Sequence, residues 1–375
     1  MPEFKNFFFR NIKNIYGWKT KRKIIVISVD DYGNVRLNSK ESRIKMNSLG
    51  IKIHTRFDAF DALETKDDLN LLYDVLTSVK DRNGRHAIFT PFSLPCNINF
   101  EKMEKKNYTN YEYELLPETF HKLSSLYPKS YEGAWDMWKE GINLGLMKPQ
   151  FHGREHLNLK VFKEKLEKKD FEVLTALKNR SYTSISSSGY PSIGYTAAFE
   201  FDKFEENKQF EEIIKIGLNE FEKVFDYRAT HFNAPGGREH STIHKMLNKN
   251  GIKYLDSPLI KKEHLGETKY KTIYNFTGKK NNLGMIFQVR NVVFEPTNAK
   301  EFDWVNYSLK QIETAFFWNR PAIISSHRVN FCGHIDKENR KIGINALKNL
   351  LKKIVDKWPD VEFMSSEELG SLINN

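Results

Sequence analysis

A chain of 375 residues, 39% of them apolar, can bury a large core, and one domain over residues 1–375 is expected. No stretch reaches the ~18 uncharged apolar residues that span a bilayer, and two cysteines, Cys96 and Cys332, are too few for a disulfide scaffold and lack CxxC spacing. The net charge of +11 favours an anionic partner such as a nucleotide-linked sugar, a lipid phosphate or a membrane surface; the basic residues are scattered without a recognition motif, so nucleic acid is not expected.

Residues 1–22 place Phe4, Phe8, Ile12 and Ile15 at three- and four-residue spacing with Lys and Arg between them, the pattern of an amphipathic helix. Such a helix either packs on the domain or lies at a membrane interface. Lys5, Arg10 and Lys13 interrupt any apolar signal core, so a cytoplasmic protein is expected, peripheral at the inner membrane surface if the N-terminus makes membrane contact. Residues 23–29, KIIVISV, read as a buried strand that delivers Asp30 and Asp31 at its end. Further strands are predicted over 51–56, 86–92, 148–152, 229–234, 252–256, 322–327 and 361–364. Helical periodicity separates them over 39–49, 66–79, 117–126, 159–177, 208–225, 241–250 and 343–358. This alternation predicts an α/β fold with a parallel sheet or barrel. Residues 95–149, rich in aromatics and Glu, read as an inserted helical region, and 270–294 as a hairpin.

Chemistry gathers at predicted strand ends. Adjacent buried carboxylates repel unless a cation or hydrogen bonds compensate, so Asp30 and Asp31 ask for a metal, although DDYG is also ordinary turn sequence. PQFHGREHLN spaces His152 and His156 four apart, close enough for both rings to meet one ion. HGREH also fits the HxxEH pattern of zinc proteases, a rival that needs a long helix and leaves the aspartates unexplained. In HFNAPGGREH, Pro235, Gly236 and Gly237 precede a helix and bring backbone N–H groups close to a ligand, and His327 ends the strand PAIISSH as a candidate proton donor. Arg56 and Asp58 fall two apart on one side of a predicted strand, as sugar or anion contacts or a surface ion pair.

From Asp30 to Met364 the order of these motifs resembles the polysaccharide deacetylase family with the NodB-type fold, a distorted (β/α) barrel of about seven strands. The resemblance implies that Asp30 is the catalytic base, that Asp31, His152 and His156 bind a divalent metal, and that His327 is the acid, with Asp256 as an orienting carboxylate. It implies removal of an acetyl group from an N-acetylated sugar, glycan or lipid-linked saccharide, Asp30 activating the attacking water on the metal. Zn²⁺ suits the ligand set, and Co²⁺, Ni²⁺ or Fe²⁺ would be accepted. The chain departs from the family pattern at Tyr32 within DDYG, at Gly153, at Ser325 and at Asn233, which stands where the family has the Arg that steadies the base. Arg154, Arg228 or Arg238 is expected to supply that charge, Arg154 also as a substrate contact beside Asn233. Alternatives are a second carboxylate for a glycosidic bond, from Glu155, Asp58 or Asp256, or a non-catalytic glycan-binding protein on the same fold.

Overall fold

The computed structural model describes residues 10–375. Its centre is a curled parallel sheet, an open half-barrel with helices around it. The strands in chain order are β1 (Lys23–Tyr32), β2 (Phe89–Ser93), β3 (Gln150–Phe151), β4 (His231–Phe232), β5 (Tyr254–Asp256), β6 (Ile286–Gln288), β7 (Val292–Val293), β8 (Ala322–His327) and β9 (Val361–Met364). Eight of them run β6-β5-β4-β3-β2-β1-β8-β7 across the sheet, and β9 joins the first half of β1, below β2. The distorted barrel expected from sequence is thus present, with nine strands rather than about seven.

β1 occupies the middle because residues 24–29 have no polar face to offer water. Ile24, Ile25, Val26 and Val29 are fully buried. Burial on both sides is what a central parallel strand requires. Its register with β8 sets Ile25 opposite Ala322 and Asp30 opposite His327. β6 and β7, the two edges of the sheet, are consecutive in the chain and separated only by residues 289–291. One bent stretch therefore serves both edges, and Arg290 sits at its bend. All nine strands point the same way, so Asp30, Ser93, His152, Asn233, Asp256, Arg290 and His327 gather at one rim.

Several expectations change. Residues 51–56 form no strand: Thr55 caps a short helix, Arg56–Phe60, through a reciprocal bond with Asp58, so Arg56 and Asp58 lie on a helix and not on one side of a strand. The hairpin comes earlier than expected, Ile260–Gly266 pairing with Lys269–Tyr274, and residues 286–288 and 292–293 join the main sheet instead. The helical span 159–177 breaks into Leu159–Glu167 and Phe171–Lys178, with Lys169 in the left-handed region at φ 51° between them. Within residues 95–149 helices dominate as expected, and Cys96–Ile98 pairs antiparallel with Tyr113–Leu115 on either side of the helix Phe100–Lys105. Trp138 from this region is fully buried edge-on to Tyr32, which ties residues 95–149 to the core.

Of the N-terminal segment, Phe4 and Phe8 lie outside the described residues. Residues 10–15 are helical and docked against the chain leading into β8: Arg320 donates to the carbonyls of Asn14 and Ile15, and Trp318 to the Asn11 side chain. Ile15 and Tyr16 remain exposed. No helix among the described residues is long and apolar enough to cross a membrane.

Candidate active site

Successive side chains of a strand point to opposite faces, so Asp30 and Asp31 could not share a site on a regular β1. The strand is irregular where it matters. Its pairing with β2 slips between Val29 and Tyr32, and Asp31 takes φ 75°, a conformation that costs a non-glycine residue about 1–3 kcal/mol. The kink brings both carboxylates to the wall of one cavity of about 700 Å³. Gly33 follows at φ +77°, where a Cβ would lie 2.7 Å from the Leu94 carbonyl, so the turn out of the motif admits only glycine. Its N–H donates to Glu64, which also receives Trp138 and the buried Arg328.

His152 leaves the end of β3, and its Nδ1 lies 2.8 Å from the Asn233 carbonyl. A carbonyl only accepts, so Nδ1 carries the hydrogen and Nε2 keeps its lone pair. That Nε2 is 3.4 Å from Asp31 Oδ1, and His156 Nε2 is 3.0 Å from the same oxygen. Ligand-capable atoms of Asp31, His152 and His156 all lie within 4.8 Å of one another, and all three residues are buried. Burial lowers the His156 pKa in spite of Asp31, while Asp31, although desolvated, is held well below the usual carboxylate range by the two imidazoles. Two imidazoles and one carboxylate around an open cavity form a donor set that fits a divalent cation. No helix carries these histidines. Glu155 turns away to Arg154, at 2.5 Å, and to the Tyr111 hydroxyl, at 3.0 Å. The HxxEH protease reading fails on both counts, because its general base is absent from the cavity. Arg154 does not border the cavity either, since it is occupied by Glu155 and packs over Tyr113.

Asp30 is held by three hydrogen bonds. Asn233 Nδ2 donates to it at 2.8 Å, and Arg290 clamps both its oxygens at 2.7 Å while reaching Asp256 with Nε, also at 2.7 Å. Burial alone would raise the Asp30 pKa, but Arg290 keeps it below the ordinary value. Asp256, with one bond to Arg290 and the Asp30 charge nearby, is pushed up by burial to about 6. The cation that holds Asp30 is therefore Arg290 and none of those expected. Arg228 is occupied with Asn250 and Glu222, and Arg238 is exposed, 3.9 Å from Glu200. Arg290 escaped notice because MIFQVR reads as one arm of a hairpin, where an Arg signals nothing.

His327 lies across from Asp30, Nε2 to Oδ2 at 3.9 Å. Burial works against its charged form, yet Glu295, 2.6 Å from Nδ1, raises its pKa to about 9. Glu295 is another residue missed from sequence. Asn330 donates to it at 2.8 Å and Arg56 pairs with it, so Arg56 stands behind the histidine and is not among the residues lining the cavity. Asp58 does border the cavity, but it binds Thr183 and the Ser184 N–H at 3.2 Å and so anchors the loop 179–203 that forms the outer wall. Gly236 and Gly237 line the cavity. Pro235 has no N–H and Gly237 donates to the Ala234 carbonyl at 3.0 Å, which leaves the Gly236 N–H as the donor this loop can offer.

Several solved structures similar to this chain are polysaccharide deacetylases. A putative polysaccharide deacetylase from Mycobacterium smegmatis is 11% identical at a TM-score of 0.42, over 96% of this chain and 92% of that one. A probable polysaccharide deacetylase from Pseudomonas aeruginosa PAO1 is 9% identical at 0.44, over 94% and 91%. A 4-alpha-glucanotransferase from Thermococcus litoralis is 8% identical at 0.46 over 94% of this chain, which spans only 40% of its length. No protein-family model and no curated protein matches the chain. Likenesses this distant assign no chemistry.

Proposed function

We propose that this protein is a metal-dependent amide hydrolase that removes the acetyl group from an N-acetylated sugar. The observation that carries the reading is the pairing of an ionised Asp30 with a protonated His327, 3.9 Å apart, beside the Asp31, His152 and His156 cluster. Environments that push two titratable groups to opposite protonation states assign a base and an acid. A divalent cation held by Asp31, His152 and His156 would supply Lewis acidity, polarising the acetamide carbonyl and acidifying water. Asp30 accepts the proton of the attacking water, and its two oxygens stay aimed because Arg290 and Asn233 hold them. His327 gives its proton to the leaving amine, which is otherwise too basic to depart. The Gly236 N–H is the loop's available donor to the carbonyl oxygen as that atom gathers charge. Arg290 on Asp30 supplies the cation missing from the motif, and that missing cation was the argument for a non-catalytic glycan-binding protein on the same fold.

Acetate release from a panel of N-acetylated sugars by zinc-loaded protein tests the reading. Asp30→Asn should keep its metal and lose turnover by about 10²–10⁴-fold, the usual worth of a positioned base. No acetate from any sugar, or full activity in metal-loaded Asp30→Asn, would sink it.

A further inference from the structure

Each cation around the site is hydrogen-bonded to a carboxylate, with one exception that has only a longer ion pair. Arg290 is matched by Asp30 and Asp256, His327 by Glu295, and Arg56 by Glu295 from behind. The exception is Arg36, in the segment that follows the Asp31 kink. Its side chain is only 8% exposed and borders the cavity, yet its Nε has no hydrogen-bond partner.

The nearest carboxylate oxygen to Arg36 is Asp61 Oδ2 at 3.5 Å, and the other oxygen of Asp61 is taken by Arg328 at 2.8 Å. Among the described residues the Arg36 guanidinium donates no hydrogen bond. It packs over the Phe57 ring at 5.2 Å, which restrains its position. The Tyr195 hydroxyl, on the loop that closes the same cavity, is likewise buried and unpartnered. That loop is bound to the Arg36 segment itself, Tyr182 N–H donating to the Arg36 carbonyl at 3.1 Å and the Tyr182 hydroxyl to Asn34 at 2.8 Å.

A buried guanidinium without hydrogen bonds is costly, and its planar fork matches a carboxylate or phosphate edge. We propose that Arg36, with the Tyr195 hydroxyl, binds an oxyanion of the substrate, so that the preferred substrate is an acidic N-acetylated sugar bearing a carboxylate or phosphate. The net charge of +11 draws such a molecule in. This inference rests on the deacetylase reading for the identity of the sugar and on Arg36 for its charge.

Calorimetric binding to zinc-loaded protein of N-acetylglucosamine, its lactyl ether N-acetylmuramic acid, and N-acetylglucosamine phosphate tests it and separates carboxylate from phosphate. At least one acidic sugar should bind about tenfold or more tighter than the neutral one, the worth of a charge-assisted bond. Arg36→Gln should abolish that preference, the acidic sugar then binding no tighter than the neutral one, and Arg36→Lys should keep part of it. Equal binding of all three, no binding of any, or a preference that survives Arg36→Gln overturns the proposal. Should Arg36→Gln fail to fold, an undiminished preference in both Arg36→Lys and Tyr195→Phe overturns it. An acidic-sugar preference without acetate release removes the deacetylase reading and leaves the anion site; acetate release with no acidic preference does the reverse.

Discussion

Replacing Arg290 by Met removes a buried guanidinium that makes three hydrogen bonds of 2.7 Å to carboxylates, two to Asp30 and one to Asp256. Severing a buried ion pair from one side costs about 3–5 kcal/mol, because uncompensated charge stays behind. Unfolding entropy is about 2.1 cal/mol/K per residue, hence roughly 0.8 kcal/mol/K for 375 residues, so melting should fall by about 4–6 °C. The loss depends on pH, and its sign follows from the carboxyls left behind. Asp256 already titrates at about 6 because burial outweighs Arg290, and without that cation both it and Asp30 move upward. A carboxyl whose folded pKa exceeds its unfolded one costs stability as pH rises between the two values. The Met variant should therefore melt further below wild type at about pH 8 than at about pH 5.5. Adding Asp256→Asn should recover part of the loss, since one stranded charge is then removed. Scanning calorimetry at the two pH values decides the matter. A drop under about 1 °C, or the same drop at both, refutes the claim that Arg290 is the cation balancing this pair.

Two further outcomes follow from the same geometry. His152→Ala removes one of three ligand-capable atoms, so zinc retained after desalting should fall far below one ion per chain while circular dichroism stays that of the folded protein; undiminished zinc would remove His152 from the ligand set. Glu295→Gln takes away the carboxylate that lifts His327 to about 9 against its burial, and the imidazole pKa should fall back toward or below its ordinary value. Because a raised histidine pKa gives stability present below the unfolded value and lost as pH rises through about 9, the variant should lose that contribution at neutral pH, and the basic limb of its rate profile should move to lower pH. An unchanged His327 titration by NMR would show that Glu295 does not set it.

Much of the sheet was legible because its strands announce themselves chemically. Residues 24–29 are apolar and β-branched without alternation, Ser28 apart, which only a strand buried on both faces tolerates, and Ala322–His327 matched its expected bounds. β3 and β4 are two residues long, so their reading rested on the chemistry that follows them, His152 and Asn233, more than on their own pattern. Residues 51–56 misled because β-branched alternation there is local preference, and the Thr55 capping box with Asp58 starts a helix instead. The same misreading put Arg56 and Asp58 on one side of a strand, whereas on the helix Asp58 borders the cavity and Arg56 pairs with Glu295.

The cluster of Asp31, His152 and His156 was visible because its histidine spacing is set by local chain geometry. Arg290 and Glu295 were not, since each acts through a partner remote in sequence: Arg290 reaches Asp30, and Glu295, just past β7, reaches His327 at the end of the neighbouring β8. What hid them is the way β6 and β7 serve opposite edges of one sheet, a fact of three-dimensional closure that no window of sequence records. The Asn233 that replaces the expected Arg makes sense only in that light. A second guanidinium beside Asp30 would face Arg290 across the same carboxylate, whereas an amide side chain donates to the carboxylate at 2.8 Å while the backbone carbonyl of the same residue orients His152. The cation on Asp30 thus comes from the bend between β6 and β7, where the sequence motif had led one to look for it at the end of β4.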